Sequence, residues 1–245
     1  MGAPRHRGGA TRERSAPSKA AHQSDPASAQ ALAEDRDRAL ALTPVSRETS
    51  ARLDRFVEVL LEWQQHTNLI APSTAQTIWT RHIADSLQLL LLAPKLQRGS
   101  QIWADLGSGA GFPGLVIACA LAEQKGVEVH LVESIGKKAN FLREAARAAG
   151  VPAEVHAMRI ADFVKRAPKH IDVVTARALA PLPKLLTEAY PLLKRGARGL
   201  FPKGQDVATE LTEAAKYWNI EATLAESRTD PRSRIVVVES AEPRI

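Results

Sequence analysis

A mostly parallel, doubly wound α/β sheet of seven strands, with a helical cap ahead of it, is the fold the 245-residue sequence predicts. Three observations carry this reading. Short β-branched apolar runs alternate with helical patterns from about residue 97 onward. The first of these runs ends in a glycine-rich turn that opens a helix, Asp105-Leu106-Gly107-Ser108-Gly109-Ala110-Gly111-Phe112-Pro113-Gly114. A purely helical, amphipathic stretch precedes the alternation.

Residues 1–40 hold much Ala, Arg, Ser, Gly and Pro and few large apolar side chains, so a disordered basic tail is expected there. Without an apolar central run it does not read as a secretory signal, although its arginine-rich start leaves an organelle transit peptide open. Residues 41–96 form the expected helical cap. From Ser46, Leu53, Phe56, Val57, Leu60 and Leu61 recur at helical spacing. A second helix is expected from about Thr74 to Leu92, with Ile78, Ile83, Leu87, Leu90 and Leu91 inward.

Residues 97–245 form the sheet domain and pack with the cap as one unit. Strand one is Ile102–Leu106 and Pro113–Gln124 its helix. Strand two is Val127–Glu133, followed by a helix Lys137–Ala149 that Gly150 and Pro152 stop. Ala153–Ala157, Ile171–Ala176 and Ala197–Lys203 are strands three to five, with helices up to Lys194 and over Gln205–Tyr217. Ile220–Ala225 and Arg234–Glu239 close the sheet as a hairpin.

Bulk properties exclude several classes. No apolar run reaches the ~18 residues of a membrane span. The single cysteine, Cys119, excludes an internal disulfide and reads as a core residue. His66, His130, His156 and His170 show no metal-ligand spacing along the chain, so no metal is expected. The net charge of +6 invites a nucleic-acid partner, but Arg5, Arg7, Arg12, Arg14 and Lys19 against Glu13 place +4 of it in residues 1–24. A nucleic-acid face on the body must therefore come from local clustering.

The glycines leave the cofactor open. Gly109-x-Gly111-x-x-Gly114 satisfies a dinucleotide fingerprint, and Gly107-x-Gly109-x-Gly111 after Asp105 satisfies the looser pattern of S-adenosylmethionine enzymes. Asp105 favours the latter, because an acid at the strand end suits the cofactor's cationic amine. Glu133, 22 residues after Gly111, stands where a ribose diol is held in either case. Met158–Asp162 can flank an adenine through backbone N–H groups. Arg177, at the carboxyl end of strand four, suits a carboxylate or phosphate. Lys137, Lys138 and Lys203 add charge near the same rim. His82, Asp85 and Ser86 share one helix face, which is the wrong arrangement for a hydrolytic triad.

Together, Arg81-His82-x-x-Asp85-Ser86, the glycine decapeptide, Val132-Glu133-Ser134-x-Gly136-Lys137-Lys138, Phe141-Leu142, Thr175-Ala176-Arg177-Ala178 and Lys203-Gly204-Gln205 resemble the bacterial small-subunit ribosomal RNA guanine-N7 methyltransferases, the RsmG or GidB family. The resemblance covers roughly residues 45–240. It implies a Rossmann-like class I methyltransferase fold, S-adenosylmethionine as cofactor, and a guanine in 16S rRNA of the small subunit as acceptor. It further implies a cytoplasmic location; a monomer without membrane contact is expected. Cofactor contacts carried over by motif are Gly107, Phe112, Ile160, Ala161 and Arg177, beside Asp105, Gly109 and Glu133 from the residues themselves. The basic tail departs from the family pattern, as does Ala161, where relatives often carry an acid. No catalytic residue is expected, since guanine N7 offers a lone pair and no proton. A nicotinamide oxidoreductase and a ribosome-assembly factor with a relic pocket are the alternative functions, with a small-molecule or protein methyltransferase as a third.

Overall fold

The computed structural model describes residues 26–95 and 99–244, together with Gly2. A seven-stranded sheet runs through it in the order β3-β2-β1-β4-β5-β7-β6. The strands are β1 (Gln101–Leu106), β2 (Val127–Val132), β3 (Ala153–His156), β4 (Val173–Thr175), β5 (Arg198–Lys203), β6 (Trp218–Glu226) and β7 (Arg234–Pro243). The first five are parallel, and β7 pairs antiparallel with both β5 and β6. The hairpin at the end of the chain thus forms as the alternation predicts. Its second strand inserts beside β5 and leaves β6 at the edge.

Helices cover both faces, which is why the central strands read as near-continuous apolar runs. On one side α4 (Gly114–Leu121) and α5 (Gly136–Ala149) share a core with the cap helices. On the other, α6 (Ile160–Arg166), α7 (Leu182–Leu193) and α8 (Val207–Ala214) build a second core around Phe163, Leu186 and Phe201. Helix α5 ends as its sequence dictates. Gly150 takes φ +65°, and the amide of Val151 donates back to the Ala146 carbonyl, closing the helix end.

The cap begins earlier than the composition suggests. Residues 26–40, expected to belong to the disordered tail, contain most of α1 (Pro26–Leu42). A long-range anchor overrides the weak local pattern. Asp35, 1% exposed, accepts hydrogen bonds from the amides of Trp79 and Thr80 and from the Thr80 hydroxyl, while Ala39 is fully buried. Arg36 forks onto Asp54 of α2 (Arg47–Gln64) at 2.7 and 2.8 Å. The tail cations Arg5, Arg7, Arg12, Arg14 and Lys19 lie outside the described residues. Helix α2 starts where expected, with the Ser46 hydroxyl accepting from the Thr49 amide.

The expected helix over 74–92 is broken. It divides into a 3₁₀ turn (Pro72–Thr77), a π turn (Trp79–Ala84), α3 (Asp85–Leu87) and a second 3₁₀ turn (Gln88–Leu91). Ile78, Ile83 and Leu87 are buried as predicted. The final 3₁₀ turn changes the phase, so Leu89 is buried while Leu91 is 62% exposed. Asp35 caps the π turn, accepting from the amides of Trp79 and Thr80 at its start.

Candidate functional site

Strand order changes direction at β1: β2 lies on one side and β4 on the other. The carboxyl ends of strands at such a switch point open a crevice. Here it holds a cavity of about 930 Å³, reached by Gly107, Gly109, Phe112, Glu133, Ile160, Ala161 and Arg177. Seven of the eight residues singled out in the sequence therefore converge on one space.

The glycine turn is built for close approach. Gly107, Gly109 and Gly111 have φ of +70°, +53° and +87°. A Cβ on Gly107 would fall 2.7 Å from Leu179 Cδ1, on the cavity wall. Glu133, 6% exposed, straddles the turn: one carboxylate oxygen accepts from the Gly109 amide at 3.0 Å and the other from the Ile135 amide at 2.7 Å. Ile160 and Ala161 open α6, where first-turn amides lack intrahelical partners.

Asp105 is the exception. It does not face the cavity. Its Oδ1 accepts from the Thr175 hydroxyl at 2.7 Å and its Oδ2 from the Gly114 amide at 3.1 Å. At 1% exposure, burial pushes its pKa upward against those hydrogen bonds. Both carboxylate oxygens thus have an internal role. Asp105 ties β1 to β4 and to the start of α4. Gly114 is required there, because a Cβ would meet Asp105 Cβ at 2.6 Å. Thr175, which the sequence reading passed over, is the partner that uses up half of the carboxylate.

Arg177 bridges the sheet and the cap. Its Nη1 donates to Asp85 Oδ2 (3.2 Å) and to the Arg81 carbonyl (3.1 Å), and its Nη2 donates to His82 Nδ1 (2.7 Å). The guanidinium carbon sits 5.1 Å from the centroid of the Phe112 ring, and His82 stacks on that ring at 4.8 Å. Burial, then the cations Arg177 and Arg81, pushes His82 down to about 3. The next residue, Ala178, has φ +52°. The polar run on the irregular helix is thus no triad: Ser86 donates to the His82 carbonyl, and Asp85 holds Arg177.

A second cleft of about 660 Å³ adjoins the first and shares His82, Arg177, Ala178 and Leu179 with it. Arg81, Lys203 and Arg234 line it. Lys203 donates to the Ala180 carbonyl and to Glu210 at 2.7 Å, so its charge is partly matched. Lys138 lines the larger cavity, whereas Lys137 turns away to the His66 carbonyl. Cys119 is fully buried and its thiol is pushed up to about 12 by burial, as a core residue should be. Met158, from the loop expected to flank an adenine, lines the cavity too, and so do Leu69, Ile70 and Leu179, which carry no sequence signal of it.

A model of the family described as GidB, rRNA small subunit methyltransferase G, matches residues 49–232. This chain belongs to that family. The ribosomal RNA small subunit methyltransferase G of Bradyrhizobium sp. (strain BTAi1 / ATCC BAA-1182) is 60% identical over 211 residues, which is 86% of this chain and 93% of the relative. The protein of the same name from Nitrobacter hamburgensis is 59% identical over 212 residues, 86% and 80% of the two chains. Among solved structures, an O-methyltransferase from Bacillus cereus in complex with SAH superposes with TM-score 0.55 at 14% identity, over 87% of this chain and all of that one. The class I methyltransferase fold is common to both. The matched span includes the glycine turn, Glu133 and Arg177, so the cavity lies within what the family shares.

Proposed function

We propose that this protein transfers a methyl group from S-adenosylmethionine to N7 of a guanine in 16S rRNA of the small ribosomal subunit. The observation that carries the reading is the convergence of the glycine turn, Glu133 and Arg177 on one cavity at the switch point, in a chain of this family.

The cavity suits the cofactor. Gly107 leaves space that a side chain would fill, and the Glu133 carboxylate is fixed at the rim where a ribose diol is bound. When bound, S-adenosylmethionine supplies an electrophilic methyl on a sulfonium. Glu133 would hold the ribose, the amides of Ile160 and Ala161 would meet the adenine edge, and Phe112 would wall the mouth. Ala161 acts through its backbone, so the missing acid costs little there. Asp105 supports the turn from within.

The adjoining cleft receives the acceptor. Arg234 and Arg81, the latter also paired with Asp230 at 3.3 Å, offer cations for phosphate, and the shared wall of His82 and Arg177 brings the acceptor base beside the cofactor space. Such a base must be unstacked, as loop bases of RNA readily are. Guanine N7 carries no proton, so no general base is needed, and His82, held neutral as an acceptor for Arg177, serves to position that arginine. Alignment alone can contribute ~7–11 kcal/mol to such a transfer.

The chain acts as a monomer in the cytoplasm on this reading. Among the described residues no helix is long and apolar enough to cross a membrane. Incubation of small subunits with methyl-labelled S-adenosylmethionine tests the function. Label in 16S rRNA at a site cleaved by borohydride and aniline, which break the chain at N7-methylguanine, is the expected result. Label in protein only, or tight NADPH binding without S-adenosylmethionine binding, overturns it.

A further inference from the structure

His130 and His156 lie 26 positions apart, and nothing in their spacing joins them. The parallel pairing of β2 and β3 does. His130 stands opposite Glu154, and Val132 opposite His156. Glu154 and His156, two apart on β3, project from the same face of the strand, and His130 projects from that face of β2. Three donors thereby meet. His130 Nδ1 is 3.0 Å from His156 Nε2. Glu154 Oε2 is 3.4 Å from His130 Nδ1, and Glu154 Oε1 is 3.6 Å from His156 Nε2.

These separations have a specific meaning. Ligands about 2.0–2.1 Å from a tetrahedral ion stand about 3.3 Å from one another. The three measured edges bracket that value. The two carboxylate distances are made by different Glu154 oxygens, and one donor atom from each of the three residues lies within 4.8 Å of the others. The outer shell is also present. His130 Nε2 is buried with no hydrogen-bond partner, and Glu128 Oε2 lies 3.7 Å from it. A histidine that ligates through Nδ1 carries its proton on Nε2 and gives it to a carboxylate, and Glu128 is placed to take it after a small rotation.

We propose that His130, Glu154 and His156 form a binding site for a divalent transition metal, Zn²⁺ foremost. Two imidazoles and one carboxylate select against Mg²⁺ and Ca²⁺, which take oxygen ligands. Glu154 is 66% exposed at its side chain while His130 is 5% exposed, so the ion enters from the Glu154 side and keeps one position open to water. The site is separate from the methyl-transfer cavity, yet it lies under it. The His156 carbonyl accepts from the amides of Glu133 and Met158, both of which reach the cavity. An ion between β2 and β3 stiffens that floor.

The test uses the full chain without a histidine tag, stripped with a chelator and titrated with ZnCl₂ against a chromophoric competitor. One saturable equivalent is expected, unaffected by millimolar Mg²⁺. At a hundredfold excess over Kd, the melting temperature should rise by about 5 °C or more. Glu154→Gln and His156→Gln should each weaken binding at least about tenfold. Both should leave the circular-dichroism spectrum and S-adenosylmethionine affinity of the metal-free protein unchanged. Co²⁺ in place of Zn²⁺ should give the intense visible bands of a four-coordinate ion. Absence of a saturable equivalent, full Zn²⁺ affinity in His156→Gln, or the weak bands of six-coordinate Co²⁺ would each overturn the site.

Discussion

Arg177 donates to His82 through a 2.7 Å hydrogen bond and thereby decides the histidine's tautomer. A guanidinium has no lone pair to offer, so Nδ1 must be the acceptor. The proton then sits on Nε2, 3.0 Å from Thr74 Oγ1, and the Thr74 hydroxyl in turn donates to the Ala71 carbonyl. A cation at the end of β4 is in this way wired to the backbone of the cap. The chain of bonds works only while His82 is neutral.

That requirement gives a pH dependence. The folded value of His82, about 3, lies below its ordinary 6.5, so between those limits the unfolded chain binds the extra proton. Stability is complete above pH 6.5 and is lost as pH falls toward 3. The expected slope from this group is about 1 kcal/mol per pH unit just below pH 6.5. Denaturant unfolding at pH 7, 6 and 5 should show a shallower slope in His82→Gln than in the wild type; equal slopes would exclude His82 as the source.

Arg177→Lys keeps the charge but cannot reproduce three directed bonds and the stacking on Phe112. Methyl transfer should fall by about 100-fold or more, on the scale of lost positioning. Arg177→Ala should do the same and lower stability too, because Asp85 is left without its cation. Single-turnover transfer to small subunits measures the first effect, and thermal unfolding the second.

Glu133→Gln leaves a side chain of the same size that has only one acceptor oxygen for the amides of Gly109 and Ile135. Cofactor affinity should drop by roughly 10- to 100-fold, since about 1.5–3 kcal/mol attaches to a hydrogen bond with a charged group. Calorimetric titration with S-adenosylhomocysteine reads this directly. Unchanged affinity would remove Glu133 from the cofactor site.

Asp105→Asn separates support from contact. The variant loses the carboxylate that serves Thr175 and Gly114 together, and it should unfold about 1–3 kcal/mol more easily. Thr175→Val removes one of the same bonds without touching the cavity. If Asp105 acts from within the turn, both variants weaken cofactor binding in proportion to lost stability. A large loss of affinity in a fully stable Asp105→Asn would instead mean direct contact.

Gly107→Ala introduces a methyl 2.7 Å from Leu179 Cδ1 at a backbone angle of φ +70°. The strain should cost ~1–2 kcal/mol and narrow the cavity. Cofactor affinity should fall, and shortening the obstacle in the double variant Gly107→Ala/Leu179→Ala should restore part of it.

The sequence by itself determined most of the fold and the glycine, acidic and cationic positions of the cavity. Periodicity and the glycine turn are local signals: β-branched runs must be strands, and Gly107, Gly109 and Gly111 must allow positive φ. A switch point after β1 then follows from topology alone, and it gathers Glu133, Ile160 and Arg177 at one rim. Only the tertiary structure decided what depends on distant partners. Helix α1 has little amphipathic pattern and folds because Asp35 meets the amides of Trp79 and Thr80, more than forty residues away. Asp105 points inward because Thr175 competes for its carboxylate across the β1–β4 pairing. His130, Glu154 and His156 become neighbours through strand register, which no spacing along a single chain reveals.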